Sequence, residues 1–190
     1  MKGVVFKSFE TFIETRWSSE MVDQALDLDS LSTGGAYTSV GDYPSSDMVS
    51  MAVYIAEHNQ IEVSALVHDF GQYLFHVLAH AHEEIIDGFS SCVDMLAGIE
   101  SVIHRDVRKL YSNAELPHFE ISERTGDRHL VLVYKSARPF ADLAEGLIHG
   151  AFVYYGVKAI SSLTRYDLAP DGTHAQFTVQ IDHDRAQTAS

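Results

Sequence analysis

The chain has 190 residues, 46% of them hydrophobic, with a formal net charge of −14 and a single cysteine. That size can bury a core as one domain, the acidic balance argues against wrapping nucleic acid, and lone Cys92 excludes an internal disulfide or a multi-thiolate zinc site. No window approaches the roughly 18 apolar residues of a membrane span, and MKGVVFKSFE turns polar too soon for a signal peptide, so a reduced, cytoplasmic home is expected.

The first half reads as helical. Val4, Val5, Phe6, Phe9, Phe12 and Ile13 recur at three- and four-residue spacing, which builds one buried helix face. GDYPSSDM then supplies turn residues and caps, with Ser45, Ser46 or Asp47 available to take the first free amides of a helix reaching roughly residue 58. Residues 62–81 predict a third amphipathic helix carrying Leu66, Phe70, Tyr73, Leu74, Leu78 and several histidines. Residues 89–110 predict a fourth, with Cys92, Leu96, Ile99, Ile103 and Val107 as its apolar stripe.

The pattern then changes. Residues 119–122, the turn ERTGD and residues 129–134 read as a β-hairpin, since Gly126 permits the turn and valine and leucine fill the strand. Pro139 stops that strand and suits the first turn of a helix over 140–155. Residues 157–167, then APDGT, then 175–181 make a second hairpin, and 182–190 read as a polar tail. The expected class is α+β, in a single domain over residues 1–181.

Three constellations carry possible chemistry. In VLVYKSARPF, strand alternation projects Tyr134, Ser136 and Arg138 to one side, about 6–7 Å apart. A phenol, a hydroxyl and a guanidinium suit two separated carboxylates; an exposed polar face is the plainer alternative. His104 emerges at the edge of an apolar helix stripe, as either a hydrogen-bonded core histidine or an axial ligand to heme iron. His76 and His80, four apart, could grip a metal ion with Glu83 or Glu84, or simply decorate a solvated helix end. Nucleophilic catalysis has no support, because Cys92 lies in an apolar stripe and no G-x-S-x-G, P-loop or dinucleotide glycine pattern occurs.

Taken in order, MKGVVF, VIHRDVRKLY, ELPHF and YKSARPFADLAEGLIHGA resemble the heme-nitric oxide/oxygen-binding (H-NOX) domain family, relatives of the heme domain of soluble guanylate cyclase. The resemblance implies heme b between a distal helical lobe, about residues 1–65, and a proximal lobe, about 66–181, with a four-stranded antiparallel sheet and embedded helices. It implies His104 as the axial ligand, Tyr134, Ser136 and Arg138 as the propionate holders, and Pro117 and Val5 as packing on the porphyrin. On the distal side, Leu143 stands where oxygen-binding members carry a tyrosine, and Phe9, Leu74, Leu78 and Leu147 offer no donor. One missing hydrogen bond of about 1–1.5 kcal/mol is about tenfold in affinity, so NO and CO are favoured over oxygen. Tyr73 is the nearby donor that would undo this selectivity.

The same resemblance implies a sensor, not an enzyme. NO binding weakens the bond to His104, the lobes shift, and a histidine kinase or a cyclic-di-GMP synthase or phosphodiesterase responds in trans. Some relatives hold zinc with three cysteines and a histidine; here SSLTRYDLAPDGTHAQF keeps His174 without a cysteine, so no zinc is expected. Two other readings remain beside it: a non-heme metal sensor built on His76, His80 and Glu83, and a heme-free interaction domain.

Overall fold

A computed structural model describes residues 1–157 and 161–182; most of the expected tail, and part of the expected third strand, lie outside the described residues. Four helices come first: α1 (Gly3–Arg16), α2 (Ser19–Leu26), α3 (Ser45–His58) and α4 (Val63–Ala81). Short pieces follow, namely α5 (Glu83–Ile86), α6 (Cys92–Ala97), a π-helical turn over Ile99–His104 and α7 (Arg105–Leu110). The remainder is β1 (His118–Thr125), β2 (His129–Lys135), α8 (Ala141–Tyr154), β3 (Ser162–Asp167) and β4 (His174–Gln180). The α+β class holds. No helix among the described residues is long and apolar enough to cross a membrane.

Two compact units divide the chain. The first comprises Met1–Ala81, Asn113–Glu115 and Asp142–Gly150. Its core is the apolar face foreseen for α1: Phe6, Phe9, Phe12 and Ile13 are buried together with Met51 and Ile55 of α3 and Leu66, Phe70 and Leu74 of α4. Phe9 meets Phe70 edge-on with ring centroids 4.9 Å apart, a preferred geometry for two quadrupoles. The expected lobe boundary near residue 65 falls inside α4. A helix that buries one face in this cluster belongs to it along its whole length, so the first unit runs on to Ala81.

Within that unit, α4 and α8 cross backbone to backbone. A Cβ on Gly71 would strike the carbonyl oxygen of Leu143, and one on Gly146 the carbonyl oxygen of His68. None of the three offered caps, Ser45, Ser46 or Asp47, is the N-cap of α3. The N-cap of α3 is Pro44, without a side-chain bond, while the buried Asp47 carboxylate turns away to accept from Ser32 N (3.2 Å), Ser32 Oγ (2.7 Å) and Tyr37 OH (2.9 Å). Three donors satisfy a charge that would otherwise be costly to bury.

The second unit holds His82–Ser112, Leu116–Ala141 and the described residues from Ala151 on. Its antiparallel sheet runs in the order β1-β2-β4-β3. Leu130, Leu132 and Tyr134 of β2 register with Val179, Phe177 and Ala175 of β4, and none of the six exceeds 1% exposure. Tyr134, one of the candidate site residues, is part of that buried face. Two expectations are corrected here. Residues 89–110 are not one α-helix, because the π-helical turn interrupts it. The strand stops at Lys135, so Ser136 and Arg138 follow turn geometry, with Arg138 N donating to Ser136 Oγ at 3.0 Å. Pro139 lies one residue ahead of the N-cap, Phe140, rather than inside the helix.

Candidate functional site

His104 closes the π-helical turn. Gly98 begins it by accepting from both Val102 N (2.9 Å) and Ile103 N (3.3 Å), the latter an i→i+5 bond that widens the helix by one residue. Glu100 and His104, four apart on the widened turn, lie one above the other. His104 Nδ1 is 3.1 Å from Glu100 Oε2, while Arg108 Nη2, one turn further on, donates to Glu100 Oε1 at 2.7 Å. The Phe119 amide donates to Oε2 at 3.4 Å, which ties the helical segment to β1.

The charges follow from these contacts. Burial would raise the Glu100 carboxyl, but Arg108, His104 and the Phe119 amide prevail and hold it down at about 2. Burial pushes the His104 imidazole below its ordinary value; the Glu100 carboxylate opposes this, while Arg108 and His118 add to it. A neutral ring that gives its Nδ1 proton to a carboxylate carries its lone pair on Nε2, the arrangement a metal-ligating histidine needs. Glu100 is the site residue that sequence reasoning missed, although the spacing Glu-x-x-x-His was there to be read.

From His104 a series of rings leads to the strand end. His104 to Phe119 is 5.9 Å between centroids, Phe119 to Tyr134 5.4 Å, and Tyr134 to Phe177 6.2 Å. Phe119 and Tyr134 are cross-strand partners, which explains their approach. Burial raises the Tyr134 phenol, countered by hydrogen bonds from the Ser136 hydroxyl and the Phe140 amide and by the charges of Arg138 and Arg165. Tyr134, Ser136 and the Arg138 backbone are thus brought together, the Ser136 oxygen serving both neighbours. Ser136 and Arg138 are half-buried, as is Pro117 just ahead of β1. One neutral imidazole with a free lone pair, and separate hydroxyl and guanidinium groups, match the donor chemistry of a heme iron and its two propionates.

The residues expected on the distal side all fall in the first unit. Phe9 and Leu74 are buried in its cluster, with Val5, Leu78, Leu143 and Leu147 half-buried against it. Tyr73 belongs to the same cluster, its ring lying 5.4 Å from that of Phe12. The alternative metal site does not assemble: among the described residues no group of three or more His, Cys, Asp or Glu side chains is placed to hold an ion, so His76, His80 and Glu83 lack a ligand set. Cys92 is buried, its thiol pushed up to about 12 by burial, which makes it inert.

The model of a family described as haem-NO-binding matches residues 2–161. Three solved structures are similar over nearly the whole chain. The Fe(II) unliganded H-NOX protein from K. algicida is 28% identical, covers 97% of this chain and 98% of its own, and superposes with a TM-score of 0.91. An H-NOX protein from S. oneidensis in the Fe(II)NO ligation state is 25% identical, covers 96% of this chain and 100% of its own, and has a TM-score of 0.84. The IWP-051-bound H-NOX from Shewanella woodyi, in the Fe(II)CO ligation state, is 34% identical, covers 100% of this chain and 99% of its own, and has a TM-score of 0.79. No curated protein matches the chain.

Proposed function

This chain belongs to the haem-NO-binding (H-NOX) family of heme-based gas sensors, and we propose that it is a cytoplasmic ferrous-heme sensor selective for nitric oxide. Bound heme b, held by His104, Tyr134, Ser136 and Arg138, would supply a ferrous iron able to bind a diatomic gas. The carrying observation is His104: a buried imidazole whose Nδ1 is engaged by Glu100, leaving Nε2 to coordinate.

Each residue then has a task. His104 anchors the iron. Arg138 and the hydroxyls of Tyr134 and Ser136 take the propionates, whose paired negative charge needs local compensation in a protein of net charge −14. Pro117 and Val5 pack on the porphyrin. Phe9, Leu74, Leu78, Leu143 and Leu147 line the gas side and present no hydrogen-bond donor, which disfavours oxygen more than NO or CO. Release of His104 would free the segment that carries it, and the freed segment would be the signal to a partner, a histidine kinase or a cyclic-di-GMP synthase or phosphodiesterase. A ligand shifts such an equilibrium only by its differential affinity for the two states, so a usable switch needs a coupling of about 1–3 kcal/mol. The S. oneidensis and Shewanella woodyi relatives, studied with NO and CO bound, support the choice of ligands.

Absorption spectra of the reduced protein under argon, air, CO and NO test the whole reading. Distinct CO and NO spectra with an unchanged spectrum under air are expected. A protein that takes up no heme sinks the sensor reading, and a stable oxygen complex sinks the selectivity.

A further inference from the structure

Glu100 has more partners than a surface carboxylate requires. Its Oε2 meets His104 Nδ1 at 3.1 Å and the Phe119 amide at 3.4 Å, with His118 Nδ1 at 3.6 Å, and its Oε1 takes Arg108 Nη2 at 2.7 Å. Its side chain is 28% exposed, so these contacts operate partly out of water, where a charged hydrogen bond gains strength. Two of these four partners, His104 and Arg108, pull on opposite oxygens of one carboxylate. The imidazole draws on Oε2 and the guanidinium on Oε1, and whatever density Arg108 withdraws is lost to His104.

We propose that Glu100 is a positioning residue that sets the strength of the bond His104 makes to iron, and that Arg108 moderates it from the far side of the carboxylate. The proposal rests on the heme reading given above. Its physical basis is that accepting the Nδ1 proton raises the basicity of Nε2 and fixes the ring's tautomer and orientation. A stronger Glu100–His104 bond resists the rupture that NO provokes; a weaker one eases it. The pair of partners thus sets the threshold at which the sensor lets go of its histidine. Through the Phe119 amide the same carboxylate also ties the His104 segment to β1, so the residue that tunes the bond also holds the element that moves.

The two partners make opposite predictions, which separates tuning from mere disturbance. In the ferrous, unliganded holoprotein, resonance Raman spectroscopy reads the iron–His104 stretching frequency directly. Glu100→Gln keeps the shape but removes the charge, so the frequency should fall, and heme transfer to an excess of apomyoglobin should speed up roughly tenfold or more. Arg108→Met removes the guanidinium from Oε1 and leaves more of the carboxylate's charge to the Oε2 side that His104 meets, so the frequency should rise and heme transfer should slow. Frequencies that stay put, or that move the same way in both variants, overturn the proposal. Should Glu100→Gln fail to fold, Arg108→Met decides alone, and no upward shift overturns it. Heme-loaded wild-type protein without any iron–histidine mode would instead overturn the ligand assignment itself, and the tuning proposal with it.

Discussion

His68 Nε2 of α4 and His149 Nδ1 of α8 lie 2.7 Å apart, so one ring must hold the proton between them and both cannot be fully protonated without parting. Asp69 Oδ1 lies 3.5 Å from the other nitrogen of His68, Gln72 Nε2 3.4 Å from it, and Glu145 acts on His149 from its own helix. Burial and the charge of His68 together pull His149 below the ordinary imidazole value of 6.5, against the smaller opposing effect of Glu145.

The sign of the pH effect follows. The folded state binds this proton less readily than the unfolded chain, so its contribution is complete above the unfolded value and is lost as pH falls from there through the lower folded value. Thermal melts should therefore show a declining Tm from about pH 7.5 to about pH 5.5. His149→Gln, which keeps a hydrogen-bonding group without the titration, should flatten that decline. An identical slope in the variant would remove the pair from the pH response.

Replacing Gly146 by alanine tests the α4–α8 crossing. Helix propensity alone would favour alanine by about 1 kcal/mol. The new Cβ, however, would overlap the His68 carbonyl oxygen and press on Gly71 Cα. Overpacking of this kind costs about 1–3 kcal/mol, so urea unfolding should report a net loss. A variant more stable than the parent would mean that the helices can part without penalty.

His104→Ala should be purified without heme and regain it when free imidazole is supplied. The residue is buried, so its removal leaves space for the small molecule. Full heme loading without imidazole would mean that another side chain coordinates the iron.

Leu143→Tyr restores a donor at a half-buried position of the first unit's apolar cluster. Some oxygen affinity should appear, seen as a changed spectrum of the ferrous protein under air. No change would show that position 143 does not reach the bound gas.

Cys92, only 4% exposed and with its thiol pushed up to about 12, should resist a thiol reagent at about pH 8 in the native protein and react at once in denaturant. Rapid labelling of the native state would place the thiol in an opening segment.

The helices and hairpins were legible where one periodicity ran long enough. α1 and α4 follow from the spacing of Phe6, Phe9 and Phe12 and of Leu66, Phe70 and Leu74. Both hairpins follow from glycines that the turns require, Gly126 at φ +57° and Gly172 at φ +72°. α2 went unread, although Ser18 caps it by accepting from Met21 N and its buried Met21 and Ala25 lie four apart. Alternation beyond Lys135 misled, because a sequence pattern does not reveal where a hydrogen-bonded ladder ends. The π-helical turn leaves no mark in composition, so the interruption of the helix expected over 89–110 stayed hidden. That 142–150 join the first unit was not legible, because they do so through contacts remote in sequence.

The i→i+5 bond from Ile103 to Gly98 also makes chain length in this stretch a functional variable. The turn already absorbs one residue more than an α-helix would, and an α-helix turns by roughly 100° per residue, so a further residue inserted between Gly98 and His104 would swing the imidazole off its axis. Insertions there, more than substitutions, are the changes this scaffold can least absorb.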